Sequence, residues 1–186
     1  MKKPVYKHPD FIVDKSYNRT DKKRFWLELT LNKECTENII VIMKNPSRAT
    51  LEVSDKTVFN VCNYIFKNKN GSEELKNVGK IIILNLIPLY ETYSKELVAL
   101  KDKIIDFENL DVIKSYAAKD SRVIIAWGNS PDKLDKEFEI LKQEVLQILK
   151  NNKNQVYYVD KLSAAGNPKH AQIWGYENEL KKIELE

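Results

Sequence analysis

An α/β fold, with a four-stranded parallel sheet between two layers of helices and one antiparallel strand at its edge, is what this 186-residue chain predicts. Four short runs carry the expectation: Ile39-Ile40-Val41-Ile42-Met43, Ile81-Ile82-Ile83-Leu84, Val123-Ile124-Ile125-Ala126 and Val156-Tyr157-Tyr158-Val159. Their unbroken apolar character is that of strands buried on both faces. Segments of helical spacing separate them, and strands alternating with helices imply right-handed βαβ units and a three-layer α/β/α arrangement. Each run also stops at polar residues, Asn45-Pro46-Ser47, Asn85, Trp127-Gly128-Asn129 and Asp160-Lys161 in turn. Open α/β sheets bind ligands at the carboxyl ends of their strands, so these four endings predict one shared cleft.

Residues 1–23 are polar and lysine-rich without a sustained period, and read as an N-terminal arm; residues 24–186 read as a single α/β domain. From Phe25 the alternation sets Phe25, Leu27, Leu29 and Leu31 against Trp26, Glu28 and Thr30, the pattern of a half-buried strand. The link from Asn32 to Asn38 is short enough for a hairpin return into 39–43, which would make 25–31 the antiparallel edge. Asp55 precedes Val58, Val61, Cys62, Ile65 and Phe66 at helical spacing, ending at Asn68-Lys69-Asn70-Gly71. Leu110, Val112, Ile113 and Tyr116 predict a second helix. Leu134, Phe138, Leu141, Val145 and Leu149 predict a long one from about Pro131 to Asn151.

A chain of this length buries roughly 70% of its unfolded surface in one core. No apolar run approaches the ~20 residues that span a bilayer, and Met1-Lys2-Lys3-Pro4 leads into no apolar targeting segment, so the expectation is a soluble cytoplasmic protein with no membrane partner. Cys35 and Cys62 are the only cysteines and His8 and His170 the only histidines, which predicts reduced thiols and neither a metal centre nor a cofactor. The net charge of +4 is carried almost wholly by lysine, enough for weak, salt-sensitive attraction to a polyanion.

The candidate site residues sit at the strand ends. Asn45 and Ser47 offer an amide and a hydroxyl on a turn stiffened by Pro46, although a plain strand-to-loop turn uses the same residues. Asp55 with Thr57 is a secondary pair, since an aspartate there is what a helix N-cap needs. Asn85, inside Ile-Ile-Ile-Leu-Asn-Leu-Ile-Pro-Leu, must find hydrogen-bond partners if buried; it is either a rim ligand or an internal clamp. Trp127 and Asn129 flank a glycine that permits close backbone approach, with core packing of Trp127 and helix capping by Asn129 or Ser130 as the plainer roles. Lys169 and His170 lie in a loop beyond the last run, where a histidine can donate to a developing anion.

Taken as an ordered set, Asn45-Pro46-Ser47, Asp55-Lys56-Thr57, Asn85-Leu86, Trp127-Gly128 and Gly166-Asn167-Pro168-Lys169-His170 resemble the family called domain of unknown function 1643, over roughly Arg24 to Tyr176. More distantly the layout is similar to the uracil-DNA glycosylase superfamily, whose pocket lies at the ends of a four-stranded parallel sheet. That resemblance implies a glycosylase-like fold and roles by position: Asn45 orients a water, Asn85 reads a base, and His170 stabilises the leaving group. Ser47, Trp127, Asn129 and Lys169 would complete substrate binding. Ala171 stands where the superfamily has a proline after the histidine, and Gln172-Ile173-Trp174 replace the segment that wedges into a duplex. The function implied is recognition of a nucleobase, nucleotide or single-stranded nucleic acid, with N-glycosidic hydrolysis as its chemistry. The alternative is a non-catalytic binding module on the same fold.

Overall fold

The longest apolar runs form the middle of one mixed, seven-stranded sheet. The computed structural model describes residues 5–90, 94–118 and 120–185. Strands β1 (Asp14–Arg19), β2 (Arg24–Thr30) and β3 (Glu37–Met43) lead into helix α1 (Lys56–Asn68). Then come β4 (Val78–Asn85), α2 (Ser94–Ala99), α3 (Phe107–Tyr116), β5 (Arg122–Ile125), α4 (Asp135–Asn151), β6 (Gln155–Val159) and β7 (Leu180–Ile183). In space the order is β1-β2-β4-β3-β5-β6-β7. Strand β3 pairs in parallel with both β4 and β5, and β5 with β6. The outer pairings β1 to β2, β2 to β4 and β6 to β7 are antiparallel.

Both faces of the central strands are buried. Ile39, Val41 and Met43 pack into one apolar cluster with Val58, Val61, Cys62 and Ile65 of α1. Ile40 and Ile42 point the other way, into a cluster with Ile113 of α3 and Phe138, Leu141, Val145 and Leu149 of α4. Successive strand residues face opposite sides, so burial on both requires an unbroken apolar run. Each such side chain contributes about 1.5–3 kcal/mol, which makes this centre the main source of stability.

The expected hairpin between β2 and β3 does not form. Strand β4 inserts between them, and Leu31 and Asn32 donate their backbone amides to the Gly79 carbonyl instead. The crossover passes so close to β4 that a Cβ at Gly79 would stand 2.2 Å from the Cys35 carbonyl oxygen, so glycine is what lets the chain cross there. Nor is β2 an edge. Strand β1, drawn from the segment read as an arm, covers it, and β7 closes the opposite side. These outer strands are short or lysine-bearing, as sheet edges that resist further pairing are.

Asp55 caps α1, accepting from the backbone amides of Thr57 and Val58 at 3.0 Å each. Helix α4 begins at Asp135 rather than near Pro131, and the residue before it, Leu134, gives no side-chain cap. Among the described residues no helix is long and apolar enough to cross a membrane.

Candidate site at the strand ends

Parallel pairing brings three carboxyl ends level. Met43 is in register with Asn85, and Ile42 with both Leu84 and Ile125, so the Asn45-Pro46-Ser47 turn, Asn85 and Trp127 emerge along one rim. The rim is tied from below: the Leu86 amide donates to the Met43 carbonyl, the Ile87 amide to that of Lys44, and the Ala126 amide to that of Ile42.

Asn85 is completely buried, and neither its Oδ1 nor its Nδ2 has a hydrogen-bond partner. Its backbone carbonyl accepts from Asn109 Nδ2 at 2.9 Å, as the Leu86 carbonyl does at 3.2 Å, so the strand end is locked while the side chain is left open. Ser47 presents a buried Oγ that likewise has no partner. Asn45 Nδ2 donates to the Pro46 carbonyl at 3.5 Å. Trp127, 1% exposed, packs in the α3–α4 core with its Nε1 proton unpaired.

Gly128 turns the chain at φ +68°, and a Cβ there would stand 2.9 Å from His170 Cβ. The missing side chain therefore lets His170 lie against the end of β5. His170 Nδ1 accepts from the Gln172 amide at 3.2 Å, which fixes the ring proton of the neutral form on Nε2. Burial, helped by the positive charge of Lys44 and opposed by Asp55, pushes this imidazole down to about 4. At neutral pH it is an uncharged N–H donor. Lys44 is itself partly buried, and desolvation lowers its pKa.

The other candidates have structural partners. Asn129 does not cap α4; its Oδ1 accepts from Ser163 Oγ at 2.9 Å and Asn167 Nδ2 at 3.2 Å, tying down the 163–167 loop. Ser130 Oγ reaches Asp135 in the first turn of α4. Lys169 Nζ pairs with Asp160 at 2.8 Å and donates to Asn178 Oδ1 at 3.3 Å, while its carbonyl accepts from Trp174 Nε1. Asp55 is engaged in its cap, and Thr57 is buried in the first turn of α1. Asn129, Lys169 and His170 nevertheless line one cleft of about 330 Å³ with Gly128, Ser163 and Ile173; Asn45, Ser47 and Asn85 are not on its wall.

One residue at this rim escaped the reading of the sequence. Arg24, at the head of β2, is completely buried. Its Nη1 donates to the Ala49 carbonyl at 2.8 Å and the Ser47 carbonyl at 3.5 Å, while Nε and Nη2 have no partner. The Tyr90 ring centre lies 5.7 Å from Cζ; burial lowers the pKa of the guanidinium, and Tyr90 is the foremost influence opposing that shift. The signal in the sequence was an arginine leading an alternating strand in a chain whose positive charge is nearly all lysine. Among the described residues no group of three or more His, Cys, Asp or Glu side chains is placed to hold a metal ion.

No curated protein and no solved structure matches the chain. A family model described as a protein of unknown function, DUF1643, matches residues 24–171, a span that opens on Arg24 and closes just past His170. The chain therefore belongs to the DUF1643 family.

Proposed function

We propose that this protein recognises a nucleobase, either in a nucleotide or in a single strand, at the carboxyl ends of β3, β4 and β5, and hydrolyses the N-glycosidic bond. The observation that carries the reading is the side chain of Asn85, wholly buried with both polar atoms unpaired. A primary amide offers a donor and an acceptor side by side, the complement of a base edge, and enzymes that act on extruded bases read them through such hydrogen bonds. Left unpaired, a buried polar group costs about 1–3 kcal/mol, so a ligand that supplies both partners gains that much over one that does not.

His170 suits the departing base. A neutral Nε2–H donor strengthens its hydrogen bond as negative charge develops on the leaving group, and it carries no ground-state charge that would bind other anions. Asn45 would orient the attacking water. Helices against both faces of the parallel strands support a three-layer, glycosylase-like arrangement. A second reading, binding without chemistry, is favoured by one observation: the carboxylate of Asp55 is held by two backbone amides. An amide at Asn45 orients water but does not take its proton.

The test is to titrate nucleobases, nucleotides and short single strands by thermal shift, and to follow base release chromatographically, for wild type, Asn85→Ala and His170→Ala. A ligand at a hundredfold its Kd stabilises by about 2.7 kcal/mol. Asn85→Ala is expected to weaken binding, and His170→Ala to slow base release by about 10²-fold with affinity kept. Binding without turnover in the wild type selects the second reading. Unchanged affinity in Asn85→Ala defeats both.

A further inference from the structure

We infer that Arg24 and Ser47 form an oxyanion subsite beside Asn85, and that the base this protein reads arrives carrying a phosphate. The inference rests on the nucleobase reading above and narrows its ligand from bases and nucleosides to nucleotides or a nucleic-acid strand.

A guanidinium binds phosphate through two parallel N–H groups, and the side-on pair is Nε with one terminal nitrogen. In Arg24 the opposite nitrogen, Nη1, is held by the carbonyls of Ala49 and Ser47, which sets the plane of the group. The Nε and Nη2 edge is the part left without a partner. Among the described residues no carboxylate forms an ion pair with Arg24, although it is completely buried. Burial is the main influence on the guanidinium and acts against its charge, opposed first by Tyr90 and then by Asp55, with which it forms no ion pair.

A structural clamp uses only one end of this group: Nη1 closes on the loop carbonyls of Ala49 and Ser47, and the Nε and Nη2 edge adds nothing to it. A buried arginine that only braced a loop would direct its fork at carbonyls or a carboxylate, because a buried charge with open donors is among the costliest groups a fold can hold. The Ser47 hydroxyl, buried without a partner in the same turn whose carbonyl holds Nη1, supplies a further donor. Tyr90 is partly buried, with its ring centre 5.7 Å from the guanidinium carbon.

Affinities of nucleosides and the matching nucleoside 5′-monophosphates are measured by calorimetry at fixed ionic strength, with inorganic phosphate alone and a short single strand as further probes. The wild type is expected to prefer each monophosphate over its nucleoside by about tenfold or more, the scale of one charge-assisted bidentate contact. Arg24→Lys keeps the charge but loses the fork, and should bring that ratio close to one while nucleoside affinity holds. Ser47→Ala should lower it with the fold intact, and it carries the test if Arg24→Lys does not fold. A strand that binds with the same dependence on Ser47 as the monophosphates identifies a diester as the source of the phosphate. Dependence confined to the monophosphates identifies a monoester. A wild-type ratio near one, or a ratio unchanged in the variants, overturns the subsite even where nucleosides bind. Phosphate binding that depends on Ser47, with no discrimination among bases, sustains the subsite and removes the base reading.

Discussion

Asn85→Leu makes ligand reading and fold bracing pull stability in opposite directions. The two side chains are close in size and shape, and Asn85 ends a strand in which Ile81 and Ile83 share its face, in register with Met43. In the free protein both polar atoms of Asn85 are unpaired at zero exposure. The buried, unsatisfied amide costs about 1–3 kcal/mol, and an apolar group of similar shape removes that cost. Taking about 2 kcal/mol, and roughly 2–4 °C per kcal/mol for a domain of this size, the variant should melt about 4–8 °C above the wild type. Nucleobase or nucleotide binding should disappear at the same time, because nothing remains to pair with the base edge. Chemical denaturation and calorimetry without ligand measure the first effect, and titration measures the second. A variant less stable than wild type by 1 kcal/mol or more would show that the amide is satisfied inside the fold, by an ordered water for example, and the argument from its open hydrogen bonds would be lost.

Three further outcomes follow from the same rim. The folded-state pKa of His170, about 4, lies below its ordinary value of 6.5, so the unfolded chain binds the extra proton first. Stability fully present above pH 6.5 should therefore fall as the pH drops towards 4, and His170→Asn should flatten that part of a denaturation-versus-pH curve. Gly128→Ala forces a side chain into a left-handed backbone position and a Cβ to 2.9 Å from His170 Cβ. The conformation alone costs about 1–2 kcal/mol, and the shifted imidazole should slow base release more than it weakens binding. Asp55→Ala should cost about 1 kcal/mol in denaturation experiments through the lost α1 cap, whereas Asp55→Asn caps equally well. Slower base release in the Asn variant, with stability kept, would place that carboxylate in the chemistry instead.

The central strands were legible because burial on both faces leaves no room for polar residues, so β3, β4, β5 and β6 announce themselves as apolar runs. Helix α1 was legible for a related reason, with Val58, Val61, Cys62 and Ile65 on one face and Asp55 ahead of them. The partner of β2 was not. Its alternation specifies a face but no neighbour, and the choice was made by Gly79, whose missing side chain opens the crossover that sets β3 beyond β4. Strands β1 and β7 were hidden because an edge strand is half solvated and carries charge, which a sequence shares with any loop. At the site, the position of Asn85 and the polar ending of each run were visible. The burial of Arg24 was not, since an arginine at a strand start is ordinarily a solvated one.

What separates a binding rim from a braced one is where the unsatisfied groups fall. Buried polar side chains that brace a fold are paired within it at least in part, and Asn109 braces this one through Nδ2, closing on the carbonyls of Asn85 and Leu86 while its Oδ1 has no partner. Among the described residues, nine buried side-chain polar atoms lack a partner, and six of them belong to Arg24, Ser47, Asn85 and Trp127. Away from the rim the unpaired atoms are second atoms of groups already bonded: His8 reaches the Thr50 carbonyl through Nε2, and Asn154 reaches those of Ala118 and Ser121 through Nδ2. Ser47, Asn85 and Trp127 differ, since none of their polar side-chain atoms is bonded; Ser47 follows β3, Asn85 is the last residue of β4 and Trp127 follows β5, three strands adjacent in the sheet. Random imperfections of packing would scatter over the core. Their concentration where parallel strands end is the arrangement expected if the missing partners belong to a ligand, and it is why loss of ligand binding, rather than loss of stability, is the expected consequence of removing the Asn85 amide.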